Sequence, residues 1–338
     1  MQNSNAIDAI VAGDILFETI INKNNDVSIS KPGGSALYCA AGFNLWGKHA
    51  GILSKIGEDE PESWMDIYQR EGCSTSGIRK VRGVFDQTRF YAVLEDGRIA
   101  EDNPQKYFYN LGQSLPKFLL GYVPPQHTRE INRARIPSSI SSEDIPAEYL
   151  QVNHLIIAPM DLYTHSMLPP FYRSRTDGQV IYCGSDTFMQ PAFWYEFPAL
   201  VRGCSVFLTS EDQLKRLFLG KTKDLWEMVE FIANCEVETV SVYSATGNHY
   251  LYDRSAKSKY EIPVHESELI DPIGAYPTYC GGFCSGYLTH FDPLESALMG
   301  SVSASIKREG TSPLHTLRAL PELARMRSEV LRDSVRKV

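Results

Sequence analysis

Apolar β-type runs alternating with helical stretches constrain this chain more than any other feature. IDAIVAG is followed by a helical ALYCAAGFNLWG, then HAGILSKIG, then a helical ESWMDIYQREG. That is the rhythm of right-handed βαβ units. It returns later with VNHLIIAP, QVIYCGS, CSVFLTS, the helical KDLWEMVEFIANC and ETVSVYS. These strands are short continuous apolar runs, suited to a sheet covered on both faces, so the sequence predicts a doubly wound α/β/α sandwich. Between the two halves, VFDQTRFYAVLEDGRIAED alternates apolar and polar residues around an Asp96-Gly97 turn, as an antiparallel hairpin with one exposed face does.

Composition narrows the function classes. The formal charge of −8 argues against a binder of nucleic-acid phosphates. No apolar run approaches the roughly 20 residues of a membrane span, and MQNSNAIDAIVAGD has no basic stretch leading into a signal-type core. The expectation is a soluble, cytoplasmic protein without a membrane partner. Seven cysteines without a C-x-x-C pair predict free thiols; Cys280 and Cys284 could share a helix face, but no third ligand completes a metal site. Residues 102–148 carry Pro104, Pro116, Pro124, Pro125, Pro137 and Pro146, which predicts an irregular excursion over the surface or a cleft mouth. The C-terminal LHTLRALPELARMRSEVLRDSVRKV reads as one charged amphipathic helix.

Two glycine-bearing segments carry the candidate chemistry. In the first, KPGG runs into SALYCAAGFNLWG over residues 31–47. Gly33 and Gly34 let backbone approach a ligand, and the next helix, opening at Ser35, aims free N–H groups at it. Asp14, ending the first strand, sits where doubly wound folds place ligand contacts, and its carboxylate could grip vicinal hydroxyls. Taken singly, each of these is more simply a turn or a cap. Arg89 and Tyr91 share one face of the hairpin strand and could reach a ligand from above, although a solvent-facing arginine is equally common. The second segment is DPIGAYPTYCGGFCSGYL, residues 271–288, a glycine turn entering a helix.

The order of a GG-helix, an antiparallel lid and a late D-x-x-G-A segment resembles the ribokinase-like (phosphofructokinase-B) sugar and nucleoside kinases over nearly the whole chain. The resemblance implies a single domain over 1–338, with a β-lid from segments within about 14–35 and 82–110. It implies a sugar or nucleoside under that lid, Mg-ATP in a neighbouring groove, and a homodimer through the lid edge. Asp14, Gly33, Gly34 and Ser35 stand where the family binds hydroxyls. Tyr38 occupies a helix position at which many members carry a ligand-contacting Asn; it either stacks on an aromatic acceptor or belongs to the core.

The family's D-x-x-G-A-G-D stretch reads here Asp271-Pro272-Ile273-Gly274-Ala275-Tyr276-Pro277. Pro277 stands at the catalytic Asp position and can neither accept a proton nor offer an N–H; Tyr276 replaces the anion-hole Gly with a bulky phenol, predicted to fill the space of the phosphate. Two further segments depart. Ser210-Glu211-Asp212-Gln213 loses the final carboxylate of the family's magnesium segment, leaving Glu211 as the metal candidate with Asp212 as a stand-in for the lost group, and Tyr243-Ser244-Ala245-Thr246-Gly247-Asn248 keeps one nucleotide-turn glycine, Gly247.

Losing a general base costs about 100- to 10000-fold, and altered charge stabilisation adds to that. The leading expectation is therefore a small-molecule binding protein whose ordinary phosphoryl transfer is lost or replaced, with Mg-ATP a cofactor only if kinase activity is retained. The alternatives are an active kinase with a nonstandard base, such as Asp186 or Asp271, and a dimeric scaffold.

Overall fold

The computed structural model describes residues 6–83, 85–125 and 133–338. The part of the 102–148 excursion at 126–132 lies outside the described residues.

Along the chain the strands are β1 (Ala9–Ala12), β2 (Leu16–Ile21), β3 (Val27–Gly33), β4 (Ala50–Gly57), β5 (Ser74–Val81), β6 (Thr88–Val93) and β7 (Ile99–Ala100). They continue with β8 (Leu155–Ile157), β9 (Val180–Cys183), β10 (Val206–Ser210), β11 (Thr239–Tyr243), β12 (His249–Asp253), β13 (Ser258–Ile262) and β14 (Arg336–Lys337). The large sheet has the order β14-β13-β12-β11-β10-β9-β8-β1-β4-β5. From β11 to β5 every pairing is parallel, and the β11–β14 edge is antiparallel.

The apolar runs explain that arrangement. Successive side chains of a strand face opposite ways. Val11, Val206 and Leu208 pack with the helices Ser35–Asn44, Ala275–His290 and Pro293–Arg308, whereas Ile10, Ala12 and Phe207 pack with Leu168, Leu214 and Met228 on the other side. Both faces are covered, so this is a three-layer α/β/α sandwich.

The small antiparallel sheet expected from the 82–110 segment is present, with the order β3-β2-β6-β7. Two antiparallel hairpins build it, joined by a parallel pairing of β2 with β6. Buried Gln87 ties it to the large sheet: its backbone oxygen accepts from Phe17 N at 2.9 Å, its Oε1 from Gly57 N at 2.8 Å, and its Nε2 donates to Lys55 O at 3.2 Å.

The C-terminal segment corrects the expectation of one helix. Pro321 opens a second helix, giving Pro313–Leu317 and Pro321–Arg332, and the chain ends in β14 on the sheet edge. Proline lacks the N–H an interior turn needs and is tolerated at a first turn, so the break falls there.

Candidate ligand site

A cavity of about 660 Å³ opens between the small sheet and the carboxyl ends of β1, β8 and β9. It collects Asp14, Gly34, Ser35 and Tyr38 from the first half of the chain, Arg89 and Tyr91 from β6, and Gly274, Tyr276 and Pro277 from the start of the late helix. Gly33, Asp271 and Ala275 stand behind this wall, and Glu211 and Gly247 are not on it.

Gly34 turns the chain into the helix Ser35–Asn44 with φ of 86°, a conformation that favours glycine. Its N–H donates to Glu18 Oε1 at 3.0 Å, and Tyr38 Oη donates to Glu18 Oε2 at 2.8 Å. Glu18 thus belongs to the site although the sequence reading passed over it. Burial pushes its carboxyl up to about 7, against the pull of Tyr38 and Gly34. The available signal was a lone acid within the apolar LFETII of β2. Tyr38 is 1% exposed, so it is core as well as cavity floor, and its hydroxyl is committed to Glu18.

Asp14 is held by the same turn, its N–H donating to Ser35 Oγ at 2.9 Å. Burial pushes its carboxyl up to about 7, and Asp161 adds to the rise while Arg89 and a Ser138 hydrogen bond oppose it. Asp161, a second wall residue that sequence reasoning missed, is fixed by Ser139 Oγ at 2.9 Å and Thr164 Oγ1 at 2.8 Å.

At the helix Ala275–His290 the backbone departs from an anion cradle. Gly274 is its N-cap with φ of 80°, and the Ala275 N–H is already bonded to Pro272 O at 3.1 Å. Pro277 has none to offer, so of the three amides at residues 275–277 one, that of Tyr276, remains for a ligand. The Tyr276 hydroxyl is anchored on the large sheet. It does not stand free in the cavity but donates to Leu208 O at 2.9 Å and Gly184 O at 3.2 Å, so the ring bridges the ends of β9 and β10 while lining the cavity.

The two displaced bases separate clearly. Asp271 is wholly buried, paired with Lys307 Nζ at 3.2 Å, and is not on the cavity wall. Asp186 lies on the cavity wall, bonded to Gln213 Nε2 and Arg216 Nη1, each at 3.2 Å. Tyr279 and Cys280 are packing residues: both are fully buried, and Tyr279 Oη shares a 2.6 Å hydrogen bond with Ser241 Oγ.

The structure brings Glu211 and the Gly247 turn together, but away from the cavity wall. Ser244 Oγ donates to Glu211 Oε2 at 2.6 Å and accepts from Gly247 N at 3.1 Å, while Lys215 Nζ lies 2.6 Å from Glu211 Oε1. Although burial pushes Glu211 up, these two partners hold it below its ordinary value. Among the described residues no cluster of three His, Cys, Asp or Glu side chains is placed to ligate a metal. With one free amide at the helix start and Glu211 engaged on both oxygens, these residues do not fit a magnesium-bound triphosphate.

No family model matches the chain. It is 21% identical over 299 residues to a cytidine kinase of Thermococcus kodakarensis, spanning 86% of this chain and 92% of that one. An adenosine kinase from Sinorhizobium meliloti superposes with a TM-score of 0.70 at 15% identity, over 95% of this chain and 99% of that one. A Methanocaldococcus jannaschii nucleoside kinase, described as an archaeal member of the ribokinase family, gives 0.60 at 15% identity, over 96% and 99%. The chain has the ribokinase fold. Glu18, Arg89 and Tyr91 of the small sheet line the cavity, and no described helix is long and apolar enough to cross a membrane.

Proposed function

We propose that the cavity binds a small sugar- or nucleoside-like molecule and that ordinary ATP-dependent phosphoryl transfer has been lost or replaced. The observation that carries this reading is Pro277 on the cavity wall, next to an Ala275 amide already spent on Pro272 O. Phosphoryl transfer rests on positioning and charge stabilisation, so a start of helix without its base and with one free amide lacks both supports. The pocket half fares differently. Asp14, Gly34, Ser35, Arg89 and Tyr91 converge on one cavity, and the similar proteins are named for cytidine and adenosine.

The test restores the motif with Tyr276→Gly and Pro277→Asp together. Expected are negligible ADP release from the native chain against a panel of sugars and nucleosides, and measurable release from the double variant. Brisk turnover by the native chain overturns the reading.

One observation favours a second reading, an active kinase with a displaced base: Asp186 lies on the same wall as Pro277. It requires ADP release by the native chain that falls at least 100-fold in Asp186→Asn. A homodimer through the lid is a further proposal, supported by Ile29 and Ile99, 45% and 40% exposed on the edge strands β3 and β7. Sedimentation of the native chain against Ile29→Asp with Ile99→Asp tests it.

A further inference from the structure

A lysine buried in β4 fixes the irregular 136–144 stretch, one side of the cavity, to the large sheet. Lys55 and Arg79 are partners in the parallel register of β4 and β5, so their side chains leave the same face of the sheet. Lys55 Nζ lies 2.9 Å from Asp144 Oδ2, and Arg79 Nη1 lies 3.4 Å from Asp144 Oδ1. The Lys55 pair is nearly shut off from water, its side chains 8% and 11% exposed. Asp144 Oδ2 also accepts from Ser141 N at 2.8 Å, which closes the stretch on itself.

From that anchor two hydrogen bonds lead to the cavity. Lys55 Nζ donates to Ser139 O at 2.7 Å, and Ser139 Oγ donates to Asp161 Oδ1 at 2.9 Å. Ser139 also closes a turn with Ile136: its N–H donates to Ile136 O and its Oγ accepts from Ile136 N, each at 2.9 Å. Ile136, Pro137, Ser138 and Asp161 all line the cavity. The backbone oxygen of Lys55 accepts from Gln87 Nε2 at 3.2 Å, and Gln87 is the residue that ties the small sheet to the large one. One lysine therefore holds two sides of the cavity, the turn by its ammonium and the small sheet by its backbone.

A buried ion pair is a poor source of stability, because a well-packed apolar residue of similar volume often does as well or better. What the pair does supply here is a fixed geometry. We propose that Lys55 is a positioning residue of the ligand site: its ammonium sets where the Ile136–Ser139 turn and the Asp161 carboxylate stand, and Asp161 contacts the ligand. This rests on the reading that the cavity binds a sugar- or nucleoside-like molecule, and it names what controls the affinity of that same site.

The experiment is isothermal titration of the full chain with adenosine, cytidine and ribose. The probe that binds the native chain most tightly is then titrated into Lys55→Met, Ser139→Ala and Asp161→Asn, and into Asp161→Asn combined with each of the other two, where circular dichroism shows the variant folded. Lys55→Met and Ser139→Ala are each expected to weaken binding about tenfold. The combined variants separate positioning from mere bracing: if Lys55 acts through Asp161, adding Lys55→Met or Ser139→Ala to Asp161→Asn weakens binding less than about twofold further. Losses that add in full, or a folded Lys55→Met that binds like the native chain, overturn the inference while the binding reading stands. Should Lys55→Met not fold, Ser139→Ala decides, because it cuts the link to Asp161 and leaves the ion pair intact; unchanged affinity there overturns the inference. Binding of none of the three probes by the native chain overturns the binding reading and this inference with it.

Discussion

Lys307 Nζ lies 3.2 Å from Asp271 Oδ2, and neither side chain reaches solvent. The ammonium also donates to Asp271 O at 3.1 Å and Gly310 O at 3.0 Å, and sits 5.4 Å over the Tyr38 ring. It thus ties the Asp271–Gly274 turn, from which the cavity helix springs, to the end of the helix Pro293–Arg308 and to the cavity floor. Removing one partner of such a pair strands the other charge in a dry interior. Lys307→Met is expected to lose about 3–5 kcal/mol of stability. Adding Asp271→Asn removes the stranded carboxylate, so the double variant loses less than the sum of the singles; urea unfolding of all four proteins reads the coupling. Strict additivity would show that the pair does not act as a unit.

The two raised carboxyls make stability depend on pH in a definite direction. Asp14 and Glu18 titrate near 7 in the folded chain, both because of burial, against ordinary values of 3.8 and 4.5. Between pH 4 and 7 the native protein therefore holds protons that the unfolded chain has released, and stability falls as pH rises through this window. Asp161 and Arg89 face Asp14, while Tyr38, Asp271 and Lys307 face Glu18, and the burial effect outweighs them all. Thermal unfolding of the unliganded protein should show Tm declining from pH 5 to pH 7.5. The decline should be shallower in Asp14→Asn and in Glu18→Gln. A slope unchanged in both would place the responsible protons elsewhere.

Tyr276→Phe isolates the phenolic oxygen from the ring. Both carbonyls it serves keep a second donor: Leu208 O accepts from Gly184 N, and Gly184 O accepts from Gln213 Nε2 at 3.2 Å. No acceptor is orphaned, so the loss is expected at the low end for a hydrogen bond, about 0.5–1.5 kcal/mol, with the denaturant slope unchanged. A loss above about 3 kcal/mol would mean that the hydroxyl secures the junction of β9, β10 and the cavity helix, not merely two carbonyls.

What the sequence revealed follows from the range over which each signal acts. The parallel strands were legible because β1, β4, β9 and β11 are buried along their full length and read as short, mainly apolar runs, broken only by Ser54 and Lys55 in β4 and by Thr239 and Ser241 in β11. Asp14, Gly34, Tyr276 and Pro277 were legible because glycine turns and strand ends mark ligand sites locally. Glu18 was not, because a single acid in a lid strand reads as its solvent face; only the fold turns it onto the Gly34 amide, 16 residues away. Lys307 was not legible either, since nothing local announces a partner 36 residues upstream. Glu211 and Gly247, read from the sequence as parts of a nucleotide site in a neighbouring groove, lie together through Ser244 and away from the cavity wall; the placement of strand-end loops around a cleft is a tertiary property.

Gly274 offers the sharpest test of how the cavity floor is built. Its φ of 80° is left-handed, and a Cβ there would come within 2.4 Å of the Tyr38 ring. The ring cannot swing aside, because its hydroxyl is held by Glu18 and its face lies under Lys307. Gly274→Ala should therefore suffer twice: about 1–2 kcal/mol for the left-handed backbone and about 1–3 kcal/mol for the overlap. In a Tyr38→Leu background the overlap is relieved and only the backbone cost remains, so the glycine substitution should be markedly cheaper there. Urea unfolding of the four proteins in this cycle measures the difference. Equal costs in both backgrounds would mean that the floor yields to the methyl group, and that the packing of Tyr38 against the turn does not fix the start of the cavity helix.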